Sequence, residues 1–171
     1  MKRRLLILAL VFHGLCGISS AQIKGAAAFE KLHALAGNWE GTFVWSGART
    51  ASGKMKAQYY VTSNGSAVVE NLIVDGTLSM TSVYHLDGPD LRMTHFCGAQ
   101  NQPRLKASAI DLDKGLVIFS FVDITNLRSP TAGHVRGLEL RFLDPDHIKL
   151  RFLFTGDGKE SDELVDLKRE K

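Results

Sequence analysis

The chain has 171 residues, 44% of them hydrophobic, which is the make-up of an ordinary globular domain rather than of a disordered or fibrous chain. It carries 21 Lys and Arg against 18 Asp and Glu, but three of the basic residues (Lys2, Arg3, Arg4) stand in an N-terminal stretch without acidic residues. The remainder holds 18 of each sign, so the pI of about 8.9 comes from the leader and a nucleic-acid partner is not expected.

Lys2-Arg3-Arg4, the apolar run Leu5 to Gly17 broken at His13, and the small residues Ser19-Ser20-Ala21 have the three-part layout of a signal peptide. The expectation is a leader at 1–21, a secreted or periplasmic destination, and one domain at 22–171. The apolar run is too short to span a bilayer, so no integral membrane segment is expected in the mature chain. Cys97 is then the single remaining cysteine; without an intramolecular disulfide, the fold must rest on its core.

Residues 26–36 read as a helix, with Phe29, Leu32 and Leu35 on one stripe and Gly37 placed to stop it. Beyond it the apolar period becomes two. Strands are predicted at 38–46, 54–63, 66–74, 78–86, 91–97, 104–111, 116–122, 134–143, 147–155 and 163–169. Their separators are turn-forming: Ser63-Asn64-Gly65-Ser66, Asp75-Gly76, Asp87-Gly88, Asp144-Pro145-Asp146 and Asp157-Gly158. Asn64-Gly65-Ser66 also matches a glycosylation acceptor, but its turn chemistry is sufficient explanation. Leu138, Leu140 and Phe142 alternate with Glu139 and Arg141, and Ile148, Leu150, Phe152 and Phe154 with Lys149 and Arg151. One face is dry and the other wet. Together these features predict an all-β fold: a single antiparallel up-and-down barrel of about ten strands with a short N-terminal helix.

The hairpin at 83–97 locates a candidate site. With Leu86 facing Leu91, the two-residue period puts Met80, Ser82, Tyr84 and Leu86 on one face with Leu91, Met93, His95 and Cys97. Phe43, Trp45, Met55, Tyr59, Phe119 and Phe121 are candidates for the rest of the inner wall, while His85 and His33 read as surface or packing residues. Only Gly98–Pro103 and Asp123–Gly133 are too long to be simple turns, and such loops tend to border a site.

The junction Leu35-Ala36-Gly37-Asn38-Trp39-Glu40-Gly41 resembles the start of the calycin barrels: lipocalins, fatty-acid-binding proteins and nitrobindin-like proteins. That resemblance implies that Trp39 packs across the closed end of the barrel, covered by Lys168 or Arg169 from the last strand. A closer likeness, through Phe29–Gly41, Val83–Arg104 and Phe121–Leu138, is to secreted bacterial calycin-like proteins of unassigned activity. It implies the fold and export, and lends no reaction.

The favoured function is binding of a small apolar or amphipathic molecule in the interior. Tyr84, Met93, His95, Cys97, Asn101, Gln102, Arg104, Asn126 and His134 are the candidate ligand-binding residues, with Arg104 offered to a ligand carboxylate. An alternative is an enzyme with His95 as acid/base and Cys97 as nucleophile, Asp123 being the carboxylate named to orient the imidazole. A filled barrel serving protein contacts is the third reading. His95 and Cys97 supply only two metal ligands, with His134 remote, so no metal is assigned. Nitrobindin-like barrels hold haem through a histidine near the chain end. The last histidine here, His147, shares the outward parity of Lys149 and Arg151, so haem is not favoured.

Overall fold

The two-residue period closes on itself. The computed structural model describes residues 20–171, with side chains from Ile23 onward. Helix α1 (Ser20–His33) is followed by β1 (Gly37–Gly47), β2 (Ala51–Thr62), β3 (Ala67–Val74), β4 (Thr77–Asp87) and β5 (Asp90–Phe96). Then come β6 (Gln102–Asp111), β7 (Leu116–Thr125), β8 (His134–Asp144), β9 (His147–Gly156) and β10 (Lys159–Arg169). Every strand pairs antiparallel with its sequence neighbours, and β1 pairs with β10, giving a closed ten-stranded barrel. All ten expected strands are present. β2 and β10 begin earlier than predicted, because Ala51–Gly53 and Lys159–Asp162, which carry no apolar alternation, continue the ladders opposite β1 and β9.

The helix differs from expectation at both ends. It begins at Ser20, inside the stretch that reads as a leader; residues 1–19 of that leader lie outside the described residues. It ends at His33 rather than Ala36, where tight bonds from Leu35 N–H to the Leu32 carbonyl and from Ala36 N–H to the His33 carbonyl turn the chain. This turn swings Leu35 into the core beside Phe29 and Leu32. Gly37 therefore opens β1, at φ +132°, rather than stopping the helix. Gly25 lets the helix lie on the β4–β5 turn, since a Cβ there would come within 2.4 Å of the Pro89 carbonyl oxygen.

Phe29, Leu32, Leu35 and Trp39 plug this end of the barrel. Trp39 is fully buried, and its indole N–H donates to the Leu35 carbonyl at 2.8 Å. Of the two candidate covers, Arg169 takes the role: its guanidinium carbon lies 4.4 Å from the Trp39 ring centre and it donates to the Ala34 and Ala36 carbonyls. Lys168 is exposed and sits opposite Glu40 in the β1–β10 ladder.

Candidate functional site

The β4–β5 register pairs Ser82 with His95, Tyr84 with Met93 and Leu86 with Leu91, as the hairpin pattern predicts. Ser82, Tyr84, Met93 and His95 all face inward and are fully buried. Between them lies a carboxyl group, Glu70, held on β3 by the same inward parity as Val68 and Leu72. Its Oε2 accepts from the Tyr59 hydroxyl at 2.7 Å and the Tyr84 hydroxyl at 3.0 Å, and its Oε1 lies 3.0 Å from Ser82 Oγ. Ser82 Oγ is also 3.0 Å from His95 Nδ1. His95 Nε2 has no partner among the described residues, and the ring lies 5.3 Å from that of Phe152.

Burial governs the ionisation of this layer. It pushes Glu70 up against the pull of its three hydroxyl partners, raises Tyr59 and Tyr84 well above the usual phenol range, and lowers His95 to about 4. His95 is therefore neutral at pH 7. With Glu70 ionised, Ser82 donates to it and accepts from His95 Nδ1–H, leaving Nε2 a bare acceptor. With Glu70 protonated the chain of donors reverses, and Nε2 carries the proton. In either state Ser82 stands between the carboxyl and the imidazole. A Ser-His-Asp triad puts the imidazole in the middle, so this arrangement does not activate the serine.

Next to this layer, toward the end of the barrel opposite α1, the interior opens into a cup of about 330 Å³. Phe43, Trp45, Met80, Val135 and Phe154 form most of its wall, with Cys97 and Glu163 as its sulfur and carboxyl groups. Glu163 is 3% exposed. Burial raises its carboxyl to about 7; the Trp45 side chain and the Arg49 guanidinium pull the other way, while Glu70 adds to the rise. Arg49 stands at the rim, its guanidinium carbon 4.0 Å from the Phe154 ring centre and 5.1 Å from that of Trp45. The Arg49 backbone N–H donates to Ser161 Oγ at 3.1 Å, which fixes the β1–β2 turn over the cup.

The two long loops meet at this rim. Asn101 is buried, and its amide donates to the Gly133 carbonyl at 2.8 Å. Gln102 Oε1 accepts from Thr125 at 2.8 Å and from Asn126 at 2.7 Å, and Arg128 bonds Gln100. Their polar groups thus tie loop to loop. His134 is half-buried, bonded through Nδ1 to the Ala132 carbonyl at 2.9 Å, with its ring near Phe121. Phe121 departs from the expected inner wall: it is 40% exposed, because β7 and β8 part beyond the Ser120–Gly137 pair.

Two expectations about charge are corrected. Arg104 is exposed, and its guanidinium forms a two-pronged pair with Asp123 at 2.5 and 2.7 Å. Neither residue lines the cup, so Asp123 is engaged by Arg104 rather than orienting His95. Cys97 does line the cup, but burial raises its thiol above the ordinary range, opposite to what a nucleophilic thiolate needs.

No family model matches the sequence, and no curated protein matches it. Solved structures do. Rv2717c from M. tuberculosis shares 15% identity, covering 91% of this chain and 100% of that one, with a TM-score of 0.56. The S-type phycobiliprotein lyase CPES from Guillardia theta shares 10% identity over 90% of this chain and 98% of its own, with a TM-score of 0.46. The isotype 1 transferrin binding protein B from serogroup B Neisseria meningitidis shares 12% identity over 78% of this chain and 25% of its own, with a TM-score of 0.38. With the closed ten-strand meander, the first of these settles the architecture. The fold is that of a calycin-like barrel.

Within this calycin-like barrel, haem does not fit the residues present. None of the residues lining the cup is a histidine, His95 is packed against Phe152, and His147 points outward to Asp166 at 2.6 Å. Among the described residues, no three His, Cys, Asp or Glu side chains converge as a metal-binding set. The residues that sequence reasoning missed are Glu70, Glu163 and Arg49. A signal for the first two is present: each is a carboxylate at the inward parity of an apolar strand, Glu70 with Val68 and Leu72, and Glu163 with Val165 and Leu167.

Proposed function

We propose that this protein is an exported binding protein that holds a small, largely apolar molecule in the cup at the open end of its barrel. The observation that carries this reading is the cup itself: about 330 Å³ walled by aromatic and aliphatic side chains, with one carboxyl and one thiol facing in. That size is at the lower end of ligand pockets, which favours a compact molecule over a long lipid tail. The barrel architecture is compatible with such a role. Apolar walls supply affinity and the few polar groups supply orientation.

In this reading the polar end of the ligand is met by groups other than Tyr84 and Arg104. The Tyr84 hydroxyl is committed to Glu70, and Arg104 to Asp123. Glu163, Cys97, Arg49 and Ser79 are the polar side chains left at the cup, with His95 Nε2 unpartnered in the layer beside it.

Native mass spectrometry of protein purified from its own compartment, beside a denatured control, tests the proposal. Extra mass lost on denaturation is the expected result, together with a rise in thermal midpoint when the same molecule is added back. Val74→Phe, which fills the cup wall, should remove both. Loss of neither signal in that variant would sink the assignment to the cup.

A further inference from the structure

The acidic residues beside Glu163 on β10 point outward and find partners: Glu160 pairs with Arg136 at 2.8 Å, and Asp162 with Arg151 at 2.6 Å. Glu163 takes part in no ion pair among the described residues, although it is 97% buried and lines an apolar cavity. A carboxyl in that position is costly to desolvate unless something pairs with it. Arg49, the cation whose charge acts on Glu163, stands at the exposed rim over the faces of Phe154 and Trp45. A molecule entering between those rings therefore meets the carboxyl at the bottom and the guanidinium only at the edge.

We infer that the ligand of the cup carries a basic nitrogen, as a small aromatic or branched aliphatic amine, and that this nitrogen pairs with Glu163 beneath the aromatic rim. The inference rests on the cup being the binding site and names the class of molecule it takes. Phe43, Trp45 and Phe154 supply the apolar and π surface that favours an organic cation. A ligand carboxylate would instead face two buried acids, Glu163 and Glu70, and meet Arg49 only at the exposed rim.

Binding is linked to a proton. The groups that face Glu163 are Arg49 from the β1–β2 turn, Glu70 from β3 and Cys97 from the end of β5. When an ammonium ion enters, the protonated fraction of Glu163 gives its proton to solvent and the carboxylate pairs with the N–H donors. Nothing is oxidised or reduced, and each molecule of ligand releases up to one proton. Affinity should thus rise with pH through the range in which Glu163 ionises, about 7.

The test is calorimetric titration of the full mature chain at pH 7.5 with three probes of one shape: tryptamine (cation), tryptophol (neutral) and indole-3-acetate (anion). Tryptamine should bind at least about ten-fold more tightly than tryptophol, as a charge-assisted bond allows, and indole-3-acetate should bind most weakly. Glu163→Gln, which matches the shape of the neutral acid, should erase the advantage of tryptamine over tryptophol. Repeating the titration in buffers of different ionisation enthalpy should show proton release in the wild type and none in E163Q. Failure of tryptamine to bind at millimolar concentration overturns the inference, as does tryptophol or indole-3-acetate binding equally well. Tryptophol bound alone would still leave the cup as the site, whereas binding of none of the three would remove both readings.

Discussion

Arg169 lies over Trp39, its guanidinium carbon 4.4 Å from the ring centre, and the same side chain donates to the Ala34, Ala36 and Pro145 carbonyls and to Asp146. One residue at the chain's end thus ties the helix exit, the β8–β9 turn and the indole together. Arg169→Ala should lower stability by about 2–3 kcal/mol, from the lost cation–π contact and several bonds to carbonyls. Arg169→Lys should recover less than half of this, because an ammonium cannot reproduce the planar fork. Urea unfolding followed by tryptophan fluorescence checks both.

The polar layer around Glu70 should behave as a unit. Replacing Glu70 by Leu leaves the Tyr59 and Tyr84 hydroxyls without an acceptor, while Ser82 can still donate to His95 Nδ1, at a cost of at least about 3 kcal/mol. Tyr59→Phe alone should cost about 1 kcal/mol. In the double variant the two costs should sum to less than their parts, since the hydroxyl no longer needs what the first change removed. Strict additivity in a double-mutant cycle would show that these groups do not share a network.

Stability against pH offers a sharper check, because two interior groups pull in opposite directions. Glu163 goes from 4.5 unfolded to about 7 folded, so the native state binds the extra proton between those values and stability falls as pH rises through them. Glu70 is shifted in the same sense. His95 goes from 6.5 to about 4, so the unfolded state binds the extra proton and stability rises over that window. The Glu163 and His95 effects are each on the order of 3 kcal/mol. With Glu70 adding to Glu163, the wild type should lose stability as pH rises from about 4.5 to 6.5. Glu163→Gln should flatten that fall, and His95→Gln should steepen it. Parallel profiles in the two variants would contradict the assignment.

On the outer wall, Arg104 and Asp123 are about half exposed. Arg104→Ala should change stability by less than about 1 kcal/mol and leave binding in the cup unaltered. A large loss of binding would restore Arg104 to the site from which the structure removes it.

Cys97 should alkylate slowly for a thiol, by on the order of ten-fold relative to an exposed cysteine at pH 7, because burial holds it protonated. A molecule in the cup should slow it further, since Cys97 lines that cavity. Cys97→Ser should keep ligand binding. Timed reaction with iodoacetamide, read by mass spectrometry, measures each rate.

Much of this barrel is legible in the sequence, for a simple reason. Alternation in Leu138-Glu139-Leu140-Arg141 or Ile148-Lys149-Leu150-Arg151 reports a wall with one dry face, and Asp-Gly and Asn-Gly turns mark where it folds back. The register of Ser82 on His95 follows from the same rule. What alternation conceals is a charged residue on the dry face. Glu70 and Glu163 read as interruptions of apolar strands, because the partners of Glu70 lie 11 to 14 positions away and the neighbours of Glu163, Trp45 and Arg49, stand near the other end of the sequence. The rim was harder still: Asn101, Gln102 and Asn126 are ligand-like residue types, yet loop-to-loop bonding uses their amides. Helix α1 exceeded its predicted range because alanines and Gly25 give little amphipathic signal, while a surface for it exists only once the β4–β5 turn has formed.

The seam between β1 and β10 runs through nine consecutive residue pairs, from Trp39 with Arg169 to Gly47 with Ser161. At Gly41 the two strands approach so closely that a Cβ would come within 1.8 Å of the Asp166 carbonyl oxygen. Because β1 is sealed by β10, the barrel cannot close until β10 has been made. Until then β1 presents an unpaired edge and Trp39 lacks its cover, a state prone to pair with other chains. A chain lacking β10 should therefore go to degradation or aggregation instead of a smaller fold.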